Sequence, residues 1–115
     1  MADQERLDRV FSALADPTRR DLVTRLAAGD ATLTELATSY DVSVQAIAKH
    51  LKVLEESGLV QRTKDAQRRP CHLEAEVFDL MTKWIERYRR QAEERYQRLD
   101  ALLEELPDEN EGDAT

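Results

Sequence analysis

Apolar residues recur along this chain at helical spacing, and short polar breaks divide the pattern. Over residues 5–14, Leu7, Val10, Phe11 and Leu14 are three, one and three positions apart, which gathers them on one helix face. Asp16-Pro17 reads as an N-cap followed by proline in the first helical position. A second helix is predicted from Pro17 to about Ala28, with Leu22, Val23 and Leu26 inside and Gly29 as its stop. Thr32-Leu33-Thr34-Glu35 has the capping-box pattern and opens a short helix, about 33–40, that buries Leu33, Leu36 and Ala37. Asp41-Val42-Ser43 is a tight break. Ser43 is placed to cap a helix at about 44–57, and Gly58 stands where a left-handed residue is wanted. Two short helices with a break of about three residues make a helix-turn-helix candidate.

On the fourth helix, Val44, Ile47, Leu51 and Leu54 form one stripe, and Gln45, Lys49 and Lys52 form another. At about 100° per residue the two stripes point nearly opposite ways, one toward a core and one outward. Leu59 to Lys64 then alternates like a strand. Asp65-Ala66-Gln67-Arg68-Arg69 is a polar, basic tip, and Pro70 to Leu73 is predicted to return as a second strand. A hairpin in this place is a wing. The last helix, about 75–106, carries Met81, Ile85, Tyr88, Ala92, Leu99, Leu102 and Leu106 at alternating spacings of four and three, broken only by Arg95; Trp84, Tyr96 and Leu103 widen the stripe. About 30 residues span roughly 45 Å, longer than a domain of this size, so part of the stripe needs a partner chain. The expected division is residues 1–106 as one domain, its dimerisation helix at about 75–106, and an acidic disordered tail at 107–115.

Composition narrows the function classes. The chain has 115 residues, 41% apolar and 36% charged, and no stretch approaches the roughly 20 apolar residues that span a bilayer. Met1 to Arg6 is acidic and polar, unlike a secretory signal. One cysteine excludes an intrachain disulfide framework and points to a reducing, cytoplasmic setting. Two histidines and that cysteine are too few for a structural zinc site, and three glycines leave no phosphate loop. No cofactor and no enzyme motif is indicated. The net charge of −7 argues against nucleic acid globally. Locally the balance reverses. Residues 43–73 hold Lys49, Lys52, Arg62, Lys64, Arg68 and Arg69 against Glu55, Glu56 and Asp65, a net of +3, whereas residues 107–115 hold four acids and no base.

These residues together resemble the ArsR-type winged-helix repressors of bacteria and archaea. The matching segments are Ala13-Leu14-Ala15-Asp16-Pro17-Thr18-Arg19-Arg20, Leu33-Thr34-Glu35-Leu36-Ala37, Lys49-His50-Leu51-Lys52-Val53-Leu54-Glu55 and Ser57-Gly58-Leu59-Val60. Trp84, Tyr88-Arg89-Arg90 and Glu93-Glu94-Arg95 are similar to the metal-independent, SdpR-like branch. The resemblance covers about residues 5–106. It implies a homodimer built on the first and last helices, and a twofold operator with the fourth helix in the major groove and the wing on the flanking backbone. Where the family's metal sensors carry paired cysteines, this chain has Thr32-Leu33-Thr34-Glu35-Leu36, and hydroxyls are poor soft-metal ligands. Its last helix has no histidine, and Ala48 stands where relatives often carry serine.

The expected architecture is therefore mainly helical with a small β-hairpin: a winged helix-turn-helix that binds double-stranded DNA as a homodimeric repressor, with no membrane insertion. Expected DNA contacts are Thr18 and Arg19 at the second helix start, where helix-end N–H groups can hold a phosphate and an internal cap or surface pair is the equal alternative, then Thr34, Ser43, Gln45, Ala46, Lys49 and Lys52, with Arg68 and Arg69 on the wing. Expected dimer residues are Leu7, Val10, Phe11, Met81, Trp84, Ile85, Tyr88, Ala92, Leu99, Leu102, Leu103 and Leu106. His50 reads as a packing or hydrogen-bonding residue. Trp84, Tyr88 and Tyr96 are the candidates for lining an effector groove between chains, and nothing names the effector. Two alternatives stay open: a metal- or redox-responsive sensor using Cys71 and His72, its thiolate stabilised by Arg68 or Arg69, and a dimeric interaction module without DNA binding.

Overall fold

The computed structural model describes residues 2–64 and 68–107. Its elements are α1 (Asp3–Ala13), α2 (Pro17–Ala28), α3 (Leu33–Ala37), α4 (Val44–Glu56), β1 (Val60–Arg62), β2 (Cys71–Leu73) and α5 (Ala75–Glu105). The fold is mainly helical with one two-stranded antiparallel hairpin, as the sequence pattern predicts. The wing residues Asp65 to Gln67 and the tail beyond Pro107 lie outside the described residues. Two compact units divide the chain, residues 1–81 and 82–115.

The first unit holds the core. Val10 and Ala13 of α1, Leu22 and Leu26 of α2, Leu36 and Ala37 of α3 and Ile47, Leu51 and Leu54 of α4 join Leu59, Val60, Cys71 and Val77 in one buried cluster. Each helix start there is fixed by the chemistry its sequence carries. The Asp16 carboxylate accepts from the Arg19 amide (3.0 Å), with Pro17 at the first position of α2. Thr32 and Glu35 close a reciprocal capping box on α3. Ser43 Oγ accepts from the Ala46 amide (3.1 Å) at the start of α4. The end of α4 is a Schellman turn: the Gly58 amide donates to Glu55 and the Leu59 amide to Leu54, with Gly58 at φ +87°.

Several expectations change. The short helix ends at Ala37 rather than about residue 40, because the Ser39 and Tyr40 amides donate to carbonyls three residues back and tighten the last turn. Gly29 ends α2 at φ 168°, ψ 154°, an extended backbone that any residue adopts, so it is not a left-handed stop. The strands are shorter than predicted. Their register is Val60 with Leu73, Gln61 with His72 and Arg62 with Cys71. Beyond Cys71, Pro70 has no amide to donate, and only its carbonyl is bonded, by Thr63 (3.0 Å). Ala31 exchanges both backbone bonds with Cys71 on the other edge of β2, tying the α2–α3 connection to the wing. Val44 leaves the predicted inward stripe: it is 48% exposed, while Ile47, Leu51 and Leu54 are fully buried. It sits one turn before the first residue that reaches the core.

In the second unit, α5 continues as a helix with exposed Ile85, Tyr88, Tyr96, Leu99, Leu102 and Leu103, followed by exposed Leu106. Trp84 packs its ring on Tyr88 with centroids 4.7 Å apart. Among the described residues, no helix is long and apolar enough to cross a membrane.

Gly29 and Gly58 should respond differently to alanine. A Cβ at Gly58 meets only Val77 Cγ2 at 3.5 Å, so Gly58→Ala costs the left-handed backbone, about 1–2 kcal/mol. A Cβ at Gly29 meets nothing within 4 Å, and Gly29→Ala should leave stability unchanged or raise it by up to about 1 kcal/mol. Denaturant midpoints of the two variants check this, and equal losses would contradict it.

Candidate nucleic-acid interface

The inner stripe of α4 fixes which way its outer face points. With Ile47, Leu51 and Leu54 fully buried, the side chains of Ser43, Gln45, Lys49 and Lys52 are all exposed, and Ala46 is half-buried among them. An amide and two ammonium groups thus occupy the free face of a helix whose start is pinned by Ser43. Thr34 is exposed on α3, the helix before it.

The turn between these helices is held by a cluster that spacing in the sequence does not reveal. Tyr40 Oη donates to Asp21 Oδ2 (2.5 Å), and Arg25 Nε donates to both Tyr40 Oη and Asp21 Oδ2 (3.0 Å each). The Arg25 guanidinium also lies 5.0 Å from the Tyr40 ring centre. The Tyr40 hydroxyl, with Arg25 beside it, holds the Asp21 carboxyl below the usual range. Tyr40 precedes the start of α4 by four residues, so this cluster ties the turn to α2.

Arg19 takes the place of an internal cap, one of the two readings its position allows. Its Nε donates to the Ala13 carbonyl and its Nη2 to the Ser12 carbonyl (3.4 Å), which caps the C-terminal end of α1. Its Nη1 lies 3.3 Å from His50 Nδ1, and His50 Nδ1 lies 3.8 Å from Asp16 Oδ2. The guanidinium is engaged inside the protomer, so Arg19 is a hinge between α1, α2 and α4 before it is anything else. His50 has the packing and hydrogen-bonding place expected of it. Thr18 is half-buried. The Arg19 amide holds the Asp16 carboxyl below the usual range.

On the wing, Arg68 Nη2 donates to Glu35 Oε1 (2.7 Å), the same oxygen that accepts from the Thr32 amide in the capping box. Arg68 and the Thr32 bonds hold the Glu35 carboxyl low. Arg69 is exposed and takes a positive φ of 48°, which carries the chain into Pro70. At the base of the hairpin, Arg62 pairs with Glu55 and fastens β1 to the end of α4. These long-range ion pairs, 33 and 7 residues apart, had no sequence signal beyond opposite charge.

Cys71 and His72 do not combine. Alternation along β2 buries Cys71 completely, while His72 is half-exposed and its Nδ1 lies 3.3 Å from Thr63 Oγ1 across the hairpin. Burial pushes the Cys71 thiol up, against a smaller opposing pull from Arg62. The cation beside it is therefore Arg62, not Arg68 or Arg69. Among the described residues, no group of three or more histidine, cysteine or acidic side chains is arranged to hold a metal ion.

Of the expected dimer residues, Leu7 and Val10 are buried within the protomer and Val10 has no accessible surface left for a second chain. Their spacing signalled burial but not what would cover them. Met81 is half-buried against the first unit's core. Trp84 is half-buried. Phe11, Ile85, Tyr88, Ala92, Leu99, Leu102, Leu103 and Leu106 are exposed.

A helix-turn-helix domain family matches residues 14–63, the segment from the end of α1 through β1. An uncharacterised HTH-type transcriptional regulator of Bacillus subtilis (strain 168), YuzN, is 41% identical over 87 residues, 69% of this chain and 95% of the relative. The transcriptional repressor SdpR of the same strain is 28% identical over 79 residues, 69% of this chain and 88% of SdpR. A crystal structure of an ArsR-family transcriptional regulator matches with a TM-score of 0.71 at 38% identity, covering 76% of this chain and 97% of that one. This chain belongs to the ArsR family of winged helix-turn-helix, DNA-binding transcriptional regulators.

The buried thiol has a direct consequence. In the folded protein Cys71 should react with an aromatic disulfide reagent at least about a hundredfold more slowly than in denaturant, since only opened molecules expose it. A fast reaction in native buffer would return Cys71 to the list of candidate sensors.

Proposed function

We propose that this regulator is a repressor which binds an inverted-repeat operator as a homodimer, with no metal required. The observation that carries the reading is the exposed Gln45, Lys49 and Lys52 face of α4, held outward by three fully buried residues and a capped start. Such a helix seats its free face in the major groove, where lysine donates to guanine acceptors and glutamine pairs with the edge of adenine. Ser43, Ala46 and Thr34 flank that face. Arg68 and Arg69 lie toward the flanking phosphates, and Arg68 exchanges Glu35 for a phosphate on binding. Thr18 offers a hydroxyl near the start of α2, whereas Arg19 contributes by fixing the helix ends. The acidic remainder of the chain suppresses nonspecific association. Occupying a promoter in this way blocks transcription, and the kinship with a protein named as a repressor supports that direction.

The dimer reading rests on the second unit. Its apolar residues are exposed along several turns. Its charge is also polarised: residues 82–92 carry Lys83, Arg87, Arg89 and Arg90 against Glu86, and residues 93–105 carry five acids against Arg95 and Arg98. A second copy running antiparallel sets each positive half against a negative one and covers both apolar stripes. Two α4 helices then face two half-sites.

The purified protein is incubated with genomic fragments at several salt concentrations, with and without chelator, and retained sequences are read. The expected result is an inverted repeat unaffected by chelation. Lys49→Ala should cost about 1–3 kcal/mol on that sequence and relax preference at one base pair per half-site. Arg68→Ala should weaken all sequences alike and lower the salt slope by about one. Uniform loss for Lys49→Ala, or recovery that changes with chelation, would overturn the corresponding part.

Sedimentation should give a dimer for the wild type and a monomer for the Leu99→Glu, Leu102→Glu double variant. Losing the tethered second half-site should then lower operator affinity by at least about a hundredfold. A monomeric wild type that still holds the repeat would contradict the dimer.

A further inference from the structure

We infer that Val44 is a specificity residue that reads a thymine methyl group, an assignment that rests on α4 being the groove-reading helix. The spacing of Val44 with Ile47, Leu51 and Leu54 would bury it, yet it is 48% exposed while those three are not exposed at all. Val42, two residues earlier, is 54% exposed. The two valines flank Ser43, the residue whose hydroxyl caps the helix, so an apolar patch stands at the leading end of α4 in a backbone fixed by that cap. Folding leaves about half of its surface in water.

The surroundings select the occupant. Val44, Ala48 and Lys52 are successive residues of one i, i+4 row, which runs beside the row of Gln45 and Lys49. An apolar lead-in thus adjoins an amide and two cations on one exposed surface. In the major groove, the base-pair edge that matches an apolar group is thymine, through its C5 methyl, and the leading residues of a recognition helix are those that reach base edges. Valine suits this contact because its branched side chain has one dominant rotamer in a helix and loses little freedom on docking. A contact of this kind adds sequence preference and no phosphate neutralisation.

The test uses the operator recovered by genomic selection, with each thymine replaced in turn by uracil. That change removes one methyl and keeps the pairing edge and backbone charge. For the wild type, one position per half-site should lose about fourfold in affinity, the worth of a desolvated methyl. Val44→Ala should bind the thymine operator about as weakly as the wild type binds the uracil one. Uracil at that position should then cost the variant nothing further, with its salt slope unchanged. Lys49→Ala should keep the uracil penalty. Thermal melts of Val44→Ala should match the wild type, because the side chain is outside the core. A flat uracil scan for the wild type, or a penalty that persists in Val44→Ala, overturns the assignment while leaving DNA binding intact. Failure of the wild type to retain any sequence removes the reading of α4 as well.

Discussion

Burial of Ile47, Leu51 and Leu54 sets which face of α4 is left exposed. Each of these side chains removes its whole apolar surface from water, worth about 1.5–3 kcal/mol. The surfaces that receive them come from α1, α2, α3 and the wing strands, so α4 cannot roll about its axis without opening the core. With the inner stripe packed in the core, Gln45, Lys49 and Lys52 are left on the outward face. Preorganisation of this kind lets a short helix with few polar groups discriminate between sequences.

Polar links then attach the flanking parts to that helix. The Asp21, Tyr40 and Arg25 cluster holds the turn that precedes it. Arg19 joins the end of α1 to His50, Arg62 ties the wing base to Glu55, and Arg68 ties the wing to the capping glutamate of α3. Each is partly exposed, so each contributes little to stability alone. Their value lies in position: each occurs where two elements meet. The acids in the first and last of these links, Asp21 and Glu35, are held below the usual carboxylate range. Their support is complete at neutral pH and fades only as the pH falls through their lowered values.

Local chemistry was the legible part of the sequence. Asp16-Pro17, Thr32 with Glu35, Ser43 and Gly58 announced helix ends because capping needs particular atoms at fixed offsets, and all four function as read. The alternation of Leu59 to Lys64 and the returning strand at Cys71 were legible too, although both strands are shorter than read. What the pattern did not carry was the partner of each apolar residue. Periodicity says that Leu7, Val10 and Val44 lie on apolar faces; it does not say whether the protomer covers them, a second chain does, or nothing does. Arg19, with an internal cap as open a reading as a phosphate site, is a related case. A cation beside a helix start suggests phosphate in one dimension, whereas three dimensions supply the carbonyls of Ser12 and Ala13. Gly29 shows that a helix can end next to glycine without using its freedom.

On the proposed reading, the free face of α4, oriented by its buried stripe, is the surface that meets DNA. Amide chemical shifts of the labelled protein, followed as operator is added, test it most directly. The largest changes should fall on Ser43 to Lys52 and on the wing around Arg68, with the core-facing Ile47, Leu51 and Leu54 keeping their side-chain methyl shifts. Large changes confined to other surfaces, with residues 43–52 unmoved, would contradict it.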